Sequence, residues 1–426
     1  MTTLTRPAAL PAANPVSSIG APRLFRGAEK YRSVPLAEHV AQHGPLPALD
    51  RAQLTTVCRQ VNLAGRGGAG FPFATKLESL PRAVAAVVVN GTESEPASWK
   101  DRMLMRAVPH LVLDGAVLTA RALAAPSVVL AVADASAAVN LRAAARQRRD
   151  GVTIKIAEIT DHSFVGGEIR ALMQTLSDRP GVPGGRRVNP NVAGLHGAPT
   201  LASNVETFAQ LAVLARLGPY RFAETGSNGE PGTTLLTVGG AVGRPGVLEI
   251  PTGTPLSIVL AAAQAAPDLQ AVVIGGYHGA WHQPIGAIAL SRKGVHDAGG
   301  ALGAGIVLAV DTQTCALGEL DRVARWLGEQ SAGQCGPCRF GLPALAADVA
   351  EIRAGRPAGV PGALHHGRAV LGRGACAHPD GASRFVVSAL HTLPDEVRAH
   401  LERGGCGRPV IGELPLSASE SWAVTS

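Results

Sequence analysis

Three stretches of this chain set reactive or ligand-holding residue types at informative spacings. The first is Gly65-Arg66-Gly67-Gly68-Ala69-Gly70-Phe71-Pro72, followed by Lys76. Glycines without a Cβ let backbone N–H groups approach a phosphate or a flat ring system closely, and Lys76 adds a cation for a phosphate. A structural turn is the alternative for such a loop. The second is Asn90-Gly91-Thr92-Glu93-Ser94-Glu95-Pro96, directly after a valine-rich run. In open α/β sheets ligands bind beyond the carboxyl ends of strands, where Asn and acidic side chains can bond a ribose or ribityl chain. A capped helix start is the competing reading. The third is Cys335-Gly336-Pro337-Cys338-Arg339, with Cys376 further on. Thiolates at that spacing can hold an iron–sulfur cluster. Zinc normally wants four ligands in tight pairs, and one pair is present; unliganded thiols remain the third option.

These residues need a scaffold, and 426 residues provide for two to four compact domains. A hydrophobic content of 46% against 17% charged fits a soluble globular protein. Residues 1–15 lack the apolar core of a signal peptide, and the apolar stretch 111–139 is interrupted by Asp114, Arg121 and Asp134. A cytoplasmic protein with no transmembrane segment is expected. The formal charge is +7, but the arginines are scattered and rarely interleaved with aromatics, which argues against nucleic acid and for an acidic partner or nucleotide phosphates. Six cysteines are too few for a disulfide framework; Cys58 and Cys406 read as inert.

Residues 1–45, rich in Ala and Pro without a sustained period, read as an extended tail. From 46 to 225 strands at 84–89, 128–132 and 152–159 alternate with helices at 109–125 and 135–146, the pattern of an α/β sheet. Residues 226–310 read as short strands (233–239, 246–250, 271–274) with a single helix near 255–265. Beyond 311, helical spacing runs through 317–329, 342–354 and 383–400, the last interrupted by Pro394, up to a short tail at 406–426. His278 and Trp281 read as loop residues.

Taken together, the stretches resemble, in order over roughly residues 50–400, the flavoprotein (FMN- and NADH-binding, 51-kDa) subunit of NADH:quinone oxidoreductase (complex I) and its relatives in NAD-linked hydrogenases and formate dehydrogenases. The resemblance lies in the glycine loop, in 89–102 with its Asn-x-x-Glu-Ser-Glu-Pro and Lys100-Asp101-Arg102, in Pro109-His110-Leu111, in 197–207 with Asn204-Val205-Glu206-Thr207, in 237–255, and in the cysteine loop 331–339 with Cys376. It implies a Rossmann-like FMN-binding domain at 46–225, a β-grasp soluble-ligand-binding module at 226–310 and a C-terminal helical bundle at 311–405 carrying an iron–sulfur site. Gly67, Gly68 and Gly70 would then admit the flavin, with Gly65, Arg66 and Ala69 in the same loop. Asn90, Glu93, Ser94, Asn204 and Thr207 would bond its polar parts, Glu95 would face the NADH ribose, Phe71 would stack near the nucleotide, and Gly167, Glu168 and Arg186 would line the NADH side. Cys335, Cys338 and Cys376 would hold a 4Fe-4S cluster. No side chain is assigned as catalytic, since the flavin carries the hydride chemistry.

This chain departs from the family at single positions. The first cysteine of the cluster loop is Ala332, which leaves water, a carboxylate or a stray cysteine such as Cys315 as fourth ligand, a three-iron form, or loss of the cluster. Two stacking aromatics are Ser79 and Asn189, one flavin-side acid is Thr92, and the family's Gly-Glu-Glu is Gly167-Glu168-Ile169. The expected function is electron transfer from NADH through FMN and a cluster to a partner such as a ferredoxin-like or 2Fe-2S subunit, with peripheral association to a membrane complex as an option. The alternatives are a flavin and iron–sulfur carrier that does not use NADH, and a non-catalytic scaffold.

Overall fold

The computed structural model describes residues 16–28, 33–185, 188–283 and 287–417. A parallel sheet is built from β2 (Ala86–Gly91), β3 (Ser127–Val132), β4 (Thr153–Glu158) and β5 (Thr200–Asn204), in the order β4-β3-β2-β5; β1 (Val16–Ser18) lies outside it. The near-continuous apolar run of the central strands β2 and β3 follows from burial on both faces, while the edge strand β4 alternates and is partly exposed. Val87 and Val89 of β2 and Val128, Leu130 and Val132 of β3 face one core with the helices Pro109–Ala122 and Val205–Ala223. The alternating residues Val88, Val129 and Ala131 face a second core closed by Leu172 and Met173. The two long helices meet at Gly115, where any Cβ would collide with the backbone of Phe208. Asp114, one residue earlier, sits at a buried ionic junction with His39 at 2.6 Å, Arg148 at 2.6 Å and Arg216 at 2.5 Å.

A second sheet holds β8 (Thr233–Gly240), β9 (Gly246–Pro251), β10 (Leu269–Ile274), β11 (Ala280–His282) and β12 (Ile306–Asp311), together with β1, in the order β1-β9-β8-β12-β10-β11. A two-residue ribbon, β6 (Gly226–Ser227) with β7 (Glu230–Pro231), precedes it. The sheet is mixed: β8 pairs antiparallel with β9 and parallel with β12. Period-2 alternation again divides the strand faces. Val307 and Ala309 of β12 pack with the helix Leu256–Ala262, and Ile306, Leu308 and Val310 pack against the C-terminal helices. The helix Leu256–Ala262 lies across this mixed sheet as expected for the region, but the single-helix reading is corrected by a second, short helix, Arg292–Asp297, before β12.

The last part is helical: Ala316–Glu329, Leu342–Arg353, Gly359–Val370, His378–Thr392 and Pro394–Arg403. Among the described residues no single helix is long and apolar enough to cross a membrane. The pair Lys100–Ala107 and Pro109–Ala122 passes such a test jointly, but it is bent by 96° and lies in the core.

The extended-tail reading of residues 1–45 is corrected by the fold over 16–28 and 33–45; the rest of that segment lies outside the described residues. Val16–Ser18 adds a parallel strand to β9, and Leu36–His43 is a helix. Both are held by distant partners: the Leu24 and Phe25 N–H groups donate to the Glu249 carboxylate, and His39 reaches Asp114. Local periodicity carries no trace of such bonds.

Candidate cofactor cleft and thiolate site

The glycine loop lies beside the carboxyl edge of the parallel sheet. Its base is pinned by the Gly65 N–H donating to the Phe71 carbonyl at 2.9 Å, and Arg292 Nη2 donates to the Gly65 carbonyl at 2.9 Å. Within it, Gly68 and Gly70 have φ of +98° and +63°, backbone that side-chain-bearing residues avoid. The Arg66 N–H donates to Thr207 Oγ1 at 2.9 Å, and a Cβ on Gly67 would lie 3.1 Å from Asn204 Cβ. The loop is thus fastened to the start of the helix Val205–Ala223, with Ala69 and Phe71 at its tip. The Phe71 ring is 48% exposed and free to meet a ligand.

β2 delivers the second stretch to the same edge. Asn90 Nδ2 donates to the Gly167 carbonyl at 2.9 Å, and a Cβ on Gly167 would strike Ser94 Oγ and crowd Thr92 Oγ1. Glu93 takes a positive φ of 42°, yet its carboxylate accepts from Ser98 Oγ, the Asp101 N–H and the Arg102 N–H at 2.6, 2.9 and 2.8 Å. The helix-capping reading of this acid is the one realised, at the start of Lys100–Ala107. Asn204 caps Val205–Ala223 by accepting from the Glu206 N–H, and also takes the Lys100 ammonium. Glu95 is buried beneath Gly276, with only long contacts of 3.3 and 3.4 Å to the Tyr277 N–H, and burial pushes its carboxyl up to about 8. Lys76 donates to the Ala202 carbonyl at 2.8 Å; burial brings its ammonium down to about 8.

The cleft is chemically suited to a flavin phosphate and its polar chain. The buried Arg66 guanidinium lies 3.9 Å from Glu206 Oε1 through its Nε and donates from Nη2 to the Thr233 carbonyl at 3.2 Å, but its Nε and Nη1 have no hydrogen-bond partner among the described residues, leaving room for an acceptor beside glycines whose backbone amides are bare. Of the two positions where the family's stacking rings were expected, Ser79 caps the helix Phe73–Glu78 and receives Asn191 Nδ2 on its Oγ at 3.0 Å, and Asn189 opens the helix Pro190–Ala193. Arg186 lies outside the described residues. Glu168 accepts from the Arg170 and Ala171 N–H groups at the start of Ile169–Thr175, a helix whose first residue is the Ile169 that stands in the second acid position.

The thiols sit at helix starts. Cys335 and Cys338 enter a π-helical turn, Pro337–Gly341, which runs into Leu342–Arg353, and Cys376 lies just before His378–Thr392. Helix N-termini favour anionic sulfur. Burial alone would raise Cys335, but hydrogen bonds from the Ala375 and Cys338 backbone and from the Cys338 thiol bring it below its ordinary value. Burial, then the neighbouring Cys335, pushes Cys338 up to about 12. Cys376 is raised, first by burial. Backbone N–H groups aimed at sulfur are a device for holding and tuning clusters. Cys315 cannot be the fourth ligand here: it caps the opposite end of the 14-residue helix Ala316–Glu329, about 21 Å away at 1.5 Å per residue.

Two side-chain bridges join cleft and thiols. Ser94 Oγ donates to the Phe164 carbonyl at 2.8 Å, and the Phe164 N–H donates to Gln330 Oε1 at 3.0 Å, one residue before the cysteine loop. Arg170 binds the Glu168 carboxylate at 3.0 Å and the Ala375 carbonyl at 2.8 Å. The Phe164 ring fills the space between, 4.7 Å from His278, 5.2 Å from Trp326 and 5.5 Å from His378. His278, far from being a bare loop residue, bonds His378 at 2.9 Å. Sequence reasoning passed over Phe164, Arg292 and this histidine pair because their partners are remote in the chain.

A parallel α/β sheet with a glycine loop at its carboxyl edge, a β-grasp-like sheet and thiols at helix starts define a two-centre architecture, one cleft and one sulfur site. Comparison with known proteins agrees. The Nuo51 FMN-binding domain matches residues 58–213, and the NADH-ubiquinone oxidoreductase-F iron-sulfur binding region matches 318–400. A NADH-quinone oxidoreductase subunit of Mycobacterium tuberculosis (strain ATCC 25618 / H37Rv) is 33% identical over 390 residues, 82% of this chain and 85% of that protein. Its counterpart in Escherichia coli (strain K12) is 28% identical over 412 residues, 88% and 91% of the two chains. Among solved structures, NAD+-reducing [NiFe]-hydrogenase in the H2-reduced state is similar with a TM-score of 0.79 at 26% identity, covering 92% of this chain and 68% of that one. The chain belongs to the family of the 51-kDa flavoprotein subunits of NADH-quinone oxidoreductase.

Proposed function

We propose that this protein is an FMN-dependent electron-transfer subunit that takes electrons from NADH and passes them through an iron–sulfur cluster to a partner protein. The observation that carries this reading is the direct connection of the two centres, Ser94 to Phe164 to Gln330 and Glu168 to Arg170 to Ala375. Residues 46–225 would hold FMN and NADH, 226–310 would brace the cleft through Arg292 and Gly276, and 311–405 would carry the cluster.

The glycine loop and Arg66 would hold the phosphate end of FMN, and Asn90, Asn204 and Thr207 would fix the loop and strand ends against it. FMN bound there would supply the step from two-electron hydride acceptance to single-electron release. Glu95, kept neutral by burial over the ordinary carboxylate range, would offer its hydroxyl to a ribose oxygen, and Phe71 would cover the nucleotide. Cys335, Cys338 and Cys376 would hold three corners of a cluster; Ala332 leaves the fourth iron without a cysteine. The partner would be a ferredoxin-like or 2Fe-2S subunit, and the setting cytoplasmic.

A second reading rests on one observation: Ser79 and Asn189 replace flat rings, and Ser79 bonds Asn191 instead of covering an adenine. Under it the same cofactors serve a donor other than NADH. The division of labour is tested with Cys335→Ser in the anaerobically purified protein. Iron should fall to background while FMN stays bound; unchanged iron would refute the ligand assignment, and joint loss of both with a native circular dichroism spectrum would refute the separateness of the centres.

A further inference from the structure

At the far end of the helix Ala316–Glu329 from the cysteine loop, four side chains from separate parts of the chain converge. Cys315 caps that helix, Glu396 and His400 lie one turn apart on Pro394–Arg403, and Cys406 follows in the next loop. One ligand atom from each, Sγ, a carboxylate oxygen, an imidazole nitrogen and Sγ, lies within 4.8 Å of all the others. Cys315 Sγ is 3.3 Å from His400 Nε2, which is 3.7 Å from Glu396 Oε1. A tetrahedral zinc ion with bonds of about 2.0–2.3 Å places its ligand atoms roughly 3.3–3.8 Å apart, so small side-chain shifts would close the shell.

Three further features point to a cation. Glu396 is 6% exposed, and its Oε1, aimed into the group, has no hydrogen-bond partner among the described residues. His400 Nδ1 bonds the Arg353 carbonyl at 2.8 Å, which places the proton there and leaves the Nε2 lone pair facing the sulfurs, as in metal-bound imidazoles whose other nitrogen donates to a carbonyl. The Gly318 N–H donates to Cys315 Sγ at 3.2 Å at a helix N-terminus, which favours thiolate. Two thiolates and a carboxylate would be balanced by a divalent ion and by Arg408, which pairs with the other Glu396 oxygen.

We propose that Cys315, Glu396, His400 and Cys406 form a structural zinc site. Two thiolates with an imidazole and a carboxylate, three of the four buried and Cys406 half-buried, select zinc over the hard oxygen-seeking cations. The site would clamp the segment after Pro394–Arg403 onto the start of Ala316–Glu329. That same segment then supplies the Pro415 carbonyl to Tyr277 Oη at 2.6 Å and the Gly412 N–H to Glu319 at 2.7 Å. The inference is independent of whether NADH is the donor.

The test is zinc and iron content of the full chain purified without chelators, with the zinc X-ray absorption spectrum of the same sample. One zinc per chain is expected, with two sulfurs at about 2.3 Å and two lighter atoms at about 2.0 Å. In a Cys315→Ser/Cys406→Ser variant zinc should fall to background while iron and flavin persist; Cys335→Ser should do the reverse. Should the double variant not fold, the sulfur count of the unaltered protein decides. Zinc absent even after incubation with zinc salt, zinc with any sulfur count other than two, a Cys315–Cys406 disulfide in reduced preparations, or zinc retained by the double variant would each overturn the proposal.

Discussion

The flavin side of the cleft and its nucleotide side are built from different materials. On the proposed flavin side the seat is backbone: a glycine loop with two left-handed residues, closed at its base, bonded to Thr207 and Arg292 and packed close to Asn204 at Gly67. On the nucleotide side it is a set of single side chains, and here two of them are Ser79 and Asn189, held in local polar bonds and helix starts. A seat made of backbone cannot change one residue without deforming the loop. A lining of side chains can lose a ring and leave the fold untouched. The contrast predicts that substitutions in the glycine loop cost more than substitutions at Ser79 or Asn189.

The largest effect should come from the backbone seat. Gly68→Val forces a β-branched residue to a φ of +98°, at a cost of about 1–2 kcal/mol from conformation alone, and intrudes on the ligand. FMN content after gel filtration should drop at least about tenfold with the fold retained; full flavin retention would break the contrast. Gly115→Leu, a control away from the cleft, should instead lower unfolding stability by about 1–3 kcal/mol through overpacking at Phe208, read by chemical denaturation.

Next comes the buried acid at the boundary of the two sides. Glu95 has a carboxyl raised to about 8 from 4.5, so the folded protein keeps a proton that the unfolded chain gives up. Its neutral form therefore favours folding fully below about pH 4.5, and that contribution is lost progressively as pH rises from there to about 8, by an amount on the order of a few kcal/mol. Urea midpoints measured at intervals across that window should fall with pH, and Glu95→Gln should flatten the slope. An unchanged slope would show that Glu95 is ionised throughout.

The smallest effect belongs to the side-chain lining. Ser79→Phe restores a ring worth about 0.5–1.5 kcal/mol of stacking, so KM for NADH should fall roughly two- to tenfold with kcat little altered. If KM does not move, this position does not face the adenine.

Much of this architecture is written in local pattern. The helix Ala135–Arg146 lies where the sequence pattern put it, and the valine run expected as a strand at 84–89 forms β2 two residues later; the Asp134 cap of that helix was not anticipated. The cysteine loop was visible because its thiols are neighbours in sequence. What escaped was assembled by long-range contact. The helix Leu36–His43 depends on His39 meeting Asp114, and Gly359–Val370 carries Pro361 and Gly362 in its first turn, the latter pressed against Asp348 of the preceding helix. The Cys315, Glu396, His400 and Cys406 group has no spacing to betray it beyond the one-turn pair on Pro394–Arg403. Glu93 was legible as a polar residue at a strand end, but its capping role needed the geometry of Lys100–Ala107.

The central claim is that electrons enter at this cleft from NADH and leave through the thiolate site. Anaerobic titration of the purified protein with NADH, followed by visible absorbance, tests it most directly. The flavin bands should bleach and the broad cluster absorbance should fall with them. Bands that NADH leaves unchanged, but that dithionite bleaches, would contradict it and assign the cleft to a different donor.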